Sequence, residues 1–174
     1  MAEFREDPIF AVMAQLAACA AEELVKSGLD EIDKVMLQPG ALPVLDWVGN
    51  PGQGCGEIIV YNPTSFAIDA VTGFPNQDTS GTCTSEYANV LSLGIFRCAL
   101  QPKTNAQGKV IANVTPAEQT NATRIHTADK AAMRRAIACC LQGNYEYVVQ
   151  PWQPYGPDGN AVGGIWTVIV GGAI

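Results

Sequence analysis

Histidine and cysteine supply most nucleophilic and metal-binding chemistry, and this chain has one histidine and six cysteines. The histidine is His126. A single imidazole rules out most zinc and Ser-His schemes by count. A catalytic role for it requires a nucleophile nearby. Cys139, Cys140 and Ser92 are candidates, and none sits in a recognisable signature. A surface or helix-end position is expected instead. The cysteines stand at 19, 55, 83, 98, 139 and 140, at scattered spacings and without an export signal, since MAEFREDP at the start is polar and acidic. They are expected to be reduced and to act as small hydrophobes. Adjacent Cys139 and Cys140 face different directions on a helix and should not bridge to each other. A cysteine-dependent enzyme built on Cys98 or Cys55 is the remote alternative.

Three further patterns resemble sites and lack their essential parts. Gly52-Gln53-Gly54-Cys55-Gly56 precedes a strand instead of following one and has no trailing Gly-Lys-Ser/Thr, so it is not a phosphate loop. The acidic cluster Asp30, Glu31 and Asp33 lacks the glycine and closing glutamate of a calcium loop. Asn113 and Asn121 match a glycosylation sequon that has meaning only in a secreted chain. No catalytic, cofactor-binding or metal-binding residue is therefore expected, and no cofactor.

What remains is chemistry of contact. Arg134 and Arg135, with Arg124 and Lys130, place cations on the polar side of a helix. Trp152 and Trp166 flank a C-terminal loop that contains Tyr155, and they are placed to face each other across a hairpin. Exposed aromatics and arginines dominate binding hot spots. Phe74 is a large apolar group in a long polar loop, 70–86, and loops of that length are usually functional or mobile. These residues (Phe74, Arg134, Arg135, Trp152, Tyr155 and Trp166) form a candidate assembly interface. Charge supports the same reading. The net charge is −7, which argues against sequence-specific nucleic-acid binding. Ten of the 17 acids lie at or before Glu57, and seven of the ten bases lie from Arg97 to Arg135. Unlike halves of that kind can meet between copies in a head-to-tail ring.

The elements that position these residues follow from periodicity. The 174 residues suit one domain, 1–174. Asp7-Pro8 opens a helix over 8–27, with Ile9, Val12, Met13, Leu16, Ala20 and Leu24 on one face and Gly28 as its stop. Its apolar run is too short and too amphipathic to span a membrane. Lys34–Leu37 reads as a short strand and Glu57–Tyr61 as a β-branched one. Pro63 allows the latter to continue only at an edge or through a bulge. Tyr87–Leu100 is apolar on both faces, as in a central strand. Thr115-Pro116-Ala117-Glu118 is a capping box, and 116–141 forms one helix or two. Strands at 145–152 and 161–170, joined by the loop QPYGPDGN, make the C-terminal hairpin. The fold class is α+β: a mainly antiparallel or mixed β-sheet with two main α-helices packed on it.

The run Asp129-Lys-Ala-Ala-Met-Arg-Arg-Ala-Ile-Ala-Cys-Cys-Leu141 is followed by Trp152, Gly156-Pro157-Asp158-Gly159 and Val162-Gly163-Gly164-Ile165-Trp166-Thr167-Val168. Upstream, Cys83 lies in a polar loop and Arg97-Cys98-Ala99 in an apolar strand. This arrangement resembles the tail terminator and related head–tail joining proteins of long-tailed phages, especially those of actinobacteria. The resemblance covers 80–174 in residues and the whole chain in element order. It implies a subunit of a homo-oligomeric, hexameric ring that caps the tail tube, stops its growth and joins it to the neck or connector. DNA would pass through the hole without sequence-specific binding. The protein would be made in the host cytoplasm and reside in the virion, with no enzymatic activity and no membrane contact. A head–tail stopper, an adaptor or the tail tube protein is the alternative.

Overall fold

The structure, a computed structural model, describes residues 8–29, 32, 34–40, 56–68, 86–158 and 160–171. The first helix, α1, is Pro8–Lys26, and its buried side is made by Ile9, Val12, Met13, Leu16, Ala17, Ala20, Glu23 and Leu24. The amide of Leu29 donates to Leu24 and that of Gly28 to Val25, with Gly28 at φ 67°. This pair of bonds is the Schellman stop, and the left-handed turn it needs favours glycine. By length and composition alone α1 could cross a membrane. Here its apolar side lies in the core, against the sheet and the second helix.

The main sheet is mixed. Strand β1 (Lys34–Pro39) runs parallel to β2 (Gly56–Ile68), which pairs antiparallel with β3 (Glu86–Cys98). On the other side of β3 lies β8 (Ala161–Gly171). The outer edge of β8 pairs successively with β6 (Glu146–Val149) and β7 (Gln153–Asp158). Two strands, β4 (Lys103–Thr104) and β5 (Val110–Ala112), form a separate hairpin. The second helix, α2, is Pro116–Leu141, a single unbroken helix. The fold is α+β, with two helices on a mixed sheet and a C-terminal strand pair.

Alternation along the strands separates two apolar clusters. Ile58, Val60, Leu91, Leu93, Ile95, Trp166, Val168 and Val170 face the helices and meet Leu16, Leu24, Met133 and Ile137. Ile59, Tyr61, Phe96 and Ala161 form a smaller cluster, with Cys98 and Tyr155 against it. The central strand β3 is thus covered on both sides, as its two apolar faces require. Each fully buried Leu, Ile or Phe contributes about 1.5–3 kcal/mol relative to exposure. Pro63 is accommodated as expected: the β2–β3 register shifts between Tyr61 and Thr64, and the strand resumes through this bulge.

Four expectations are revised or resolved. First, the greater part of the loop QPYGPDGN, Gln153–Asp158, is a strand. Gln153, Pro154 and Tyr155 pair with Ile165, Gly164 and Gly163. Its prolines are tolerated because β7 is an edge strand, and the register breaks between Tyr155 and Asp158, around Gly156-Pro157. Second, the hairpin β4–β5 was not foreseen. Asn105 turns it by accepting from the amides of Gln107 and Lys109 through Oδ1. Third, the choice left open over 116–141 falls to one helix, with Thr127-Ala128-Asp129 inside it. Thr127 bonds back to the Thr123 carbonyl, and Asp129 faces Arg97.

Fourth, the cysteines are not all free. Cys19 on α1 and Cys140 on α2 form a disulfide with Cα atoms 6.4 Å apart at a sequence separation of 121. Cys98 is also disulfide-bonded. Among the described residues Cys139 is the free thiol, and it is exposed. Helix spacing alone could not show that Cys19 and Cys140 fall at the same level of the α1–α2 contact. The segment 41–55 and most of the loop 70–86, with Phe74, lie outside the described residues.

Candidate assembly surface

The sheet and α2 are fastened by a polar group that the sequence reading missed. Arg97 is the last helix-facing residue of β3, and Asp129 lies one turn after His126 on α2. The Arg97 guanidinium donates to Asp129 through Nε at 2.7 Å and through Nη2 at 2.8 Å. The side chains are only 13% and 2% exposed. A two-pronged, charge-assisted pair fixes the angle of the strand to the helix as well as their separation. An arginine inside an apolar strand was the available signal, because a buried cation needs a counterion.

His126 stands 3.9 Å from Asp129, Nδ1 to Oδ2. Burial lowers its pKa from the ordinary 6.5, the Asp129 carboxylate opposes this, and Arg97 adds to the lowering. The imidazole borders a cavity of about 180 Å³ with Arg97, Cys98, Leu100, Glu118, Asn121, Ala122 and Ile125. That is smaller than the roughly 300–1,000 Å³ of usual small-molecule sites.

The named nucleophiles are not available to His126. Cys98 borders the same cavity, but it packs against the smaller cluster and is disulfide-bonded, so it offers no thiolate. Ser92 is bonded to Tyr61. Cys140 is tied to Cys19, and Cys139 lies thirteen residues along α2, about 20 Å away at 1.5 Å per residue. Among the described residues no three His, Cys, Asp or Glu side chains are grouped to hold a metal.

The proposed contact residues divide by burial. Trp166 is 6% exposed and donates from Nε1 to the Lys130 carbonyl at 3.1 Å, so it belongs to the core and offers no surface. Trp152 meets it across the strand pair, with ring centroids 5.5 Å apart. A Cβ on Gly164 would come within 2.2 Å of the Trp152 ring, which explains the glycine there. Tyr155 stands edge-on to Phe96 and donates to Asp158. Arg135 is held within the chain, with Nε at 3.1 Å from Glu23 and Nη2 at 2.7 Å from the Ser27 hydroxyl. Glu23 is also bonded to Lys26, and these two cations, Lys26 first, hold its carboxyl below the usual range. Arg134 lies 5.4 Å above the Trp166 ring and is exposed to solvent on its outer side.

The exposed apolar residues lie elsewhere. Every residue of β4 and β5 is exposed, and Val110 and Ile111 are 49% and 65% exposed. Leu100, where the hairpin leaves β3, is 47% exposed. Val35 on β1 and Val148 on β6 are also exposed, and these strands lie at the two ends of the described sheet. Strand ends and apolar projections of this kind are sites for pairing with other chains.

No protein-family model matches the chain, and no curated protein matches it significantly.

Proposed function

We propose that the chain is a structural subunit of a phage virion, a tail terminator. It assembles with copies of itself into a ring, hexameric by the resemblance noted above, that caps the tail tube and joins it to the neck or connector. The observation that carries this reading is the projecting hairpin β4–β5. A monomer gains nothing from exposing Val110 and Ile111 on an arm, whereas a ring subunit needs a feature that reaches its neighbour. The acidic balance is compatible with DNA passing through a lumen without being gripped. The disulfides at Cys19–Cys140 and Cys98 count against the cytoplasmic part of this reading, because such bonds persist in oxidising surroundings. Another neck component or the tube protein would share these features.

Sedimentation velocity from low to high micromolar concentration, with electron microscopy of the protein alone and mixed with tail tubes, tests the reading. Rings, and tubes closed at one end, are the expected result. A strict monomer that leaves tube ends unaltered would refute it.

A further inference from the structure

We infer that the hairpin β4–β5 of one copy docks into the cavity beside His126 of a second copy, with Ile111 as the inserted side chain and Lys109 set against Glu118. The inference rests on the self-assembly reading and names the contact that builds it.

The two parts match in size, polarity and charge. The cavity is lined on its apolar side by Leu100, Ala122 and Ile125, and its volume of about 180 Å³ suits an inserted side chain better than a cofactor. Ile111 is the more exposed of the hairpin's two large apolar residues, at 65% against 49% for Val110. Between Ala99 and Pro116 the chain carries Lys103 and Lys109 and no acid, in a protein of net charge −7. Glu118 lies at the cavity rim, with both Thr115 donors on its Oε2, which leaves Oε1 to an incoming cation. Lys103 already lies in the electrostatic field of Glu118 within the chain. Lys109 makes no ion pair among the described residues. It is next to the apolar pair Val110-Ile111, so one insertion brings both contacts together. Projecting residue and cavity differ, so the contact is able to repeat head-to-tail around a ring, and a reciprocal two-fold pair would instead stop at a dimer in sedimentation.

Cross-linking in a Cys139→Ser background tests the geometry. Ile111→Cys and Ala122→Cys are made as separate proteins, mixed and mildly oxidised. The expected result is a linked pair in the mixture that neither variant forms alone, and its absence overturns the docking. Sedimentation gives a second reading. Ile111→Asp should weaken self-association about tenfold or more, whereas Ile111→Leu should not. Lys109→Glu should weaken it and Lys109→Glu with Glu118→Lys should restore it, circular dichroism showing that each variant is folded.

The failures are distinguishable. If the wild type assembles and the hairpin variants assemble equally well, the docking is wrong and the ring reading stands. If the wild type does not assemble, both fall. If the variants form rings but no longer cap tubes, the hairpin's partner is the tube protein and the docking is again wrong.

Discussion

Replacing Asp129 by alanine should be among the most damaging single changes in the described core. The carboxylate is 2% exposed and accepts two bonds of 2.7 and 2.8 Å from a guanidinium that is itself 13% exposed. Removing it leaves a largely buried cation, which costs about 3–5 kcal/mol in comparable pairs. The limited exposure of Arg97 lets water reach it in part, so the lower end of that range is expected. For a domain of this size each kcal/mol lowers the melting temperature by about 2–4 °C, so Asp129→Ala should melt roughly 6–12 °C below the wild type. The double variant Arg97→Met, Asp129→Leu removes both charges and keeps apolar volume. It should recover most of the loss and can exceed the wild type by about 1–4 kcal/mol. Urea unfolding of wild type, both single variants and the double variant, with the disulfides kept oxidised, closes the cycle. A cost below about 1 kcal/mol for Asp129→Ala would place the pair with weak surface bridges and refute the reasoning. Additive losses in the double variant would do the same.

Opening the Cys19–Cys140 bond should lower stability by about 2–5 kcal/mol, because it closes a chain separation of 121 residues. Equal melting of Cys19→Ser and wild type would count against the bond, and intact mass before and after reduction counts disulfides directly. Gly164→Ala should destabilise by about 1–3 kcal/mol and alter tryptophan fluorescence, because its Cβ would meet the Trp152 ring and the Gln153 carbonyl. An unchanged spectrum and melt would show that β7 does not pack as described. His126 has a folded-state pKa below its ordinary 6.5, so the unfolded chain binds the proton more readily. Its contribution is full above pH 6.5 and is lost as pH falls through the folded pKa. His126→Gln should flatten the stability profile in that window, and an unchanged slope would contradict the assignment.

Both helices and most strands were legible in the sequence because local chemistry specifies them. The Thr115–Glu118 capping box forms within four residues, and the Gly28 stop needs only its own turn. The two apolar faces of β3 announced a central strand, and Pro63 announced its bulge. Other features depend on atoms far apart in the chain. Nothing near Asp129 in sequence marks it as a counterion, and only the approach of β3 made it the partner of Arg97 across 32 residues. Gly156-Pro157 reads as a turn, and the outer edge of β8 makes its surroundings a strand. Cys19 and Cys140 looked like small hydrophobes until the helix contact brought them together. Trp166 read from sequence as either a core residue or an interface anchor, and only packing under α2 decided for the core. Sequence determines what a residue can do within a few neighbours, through capping, alternation and backbone freedom. Which distant partner satisfies a charge, a thiol or an indole is settled only when burial removes water as the competitor.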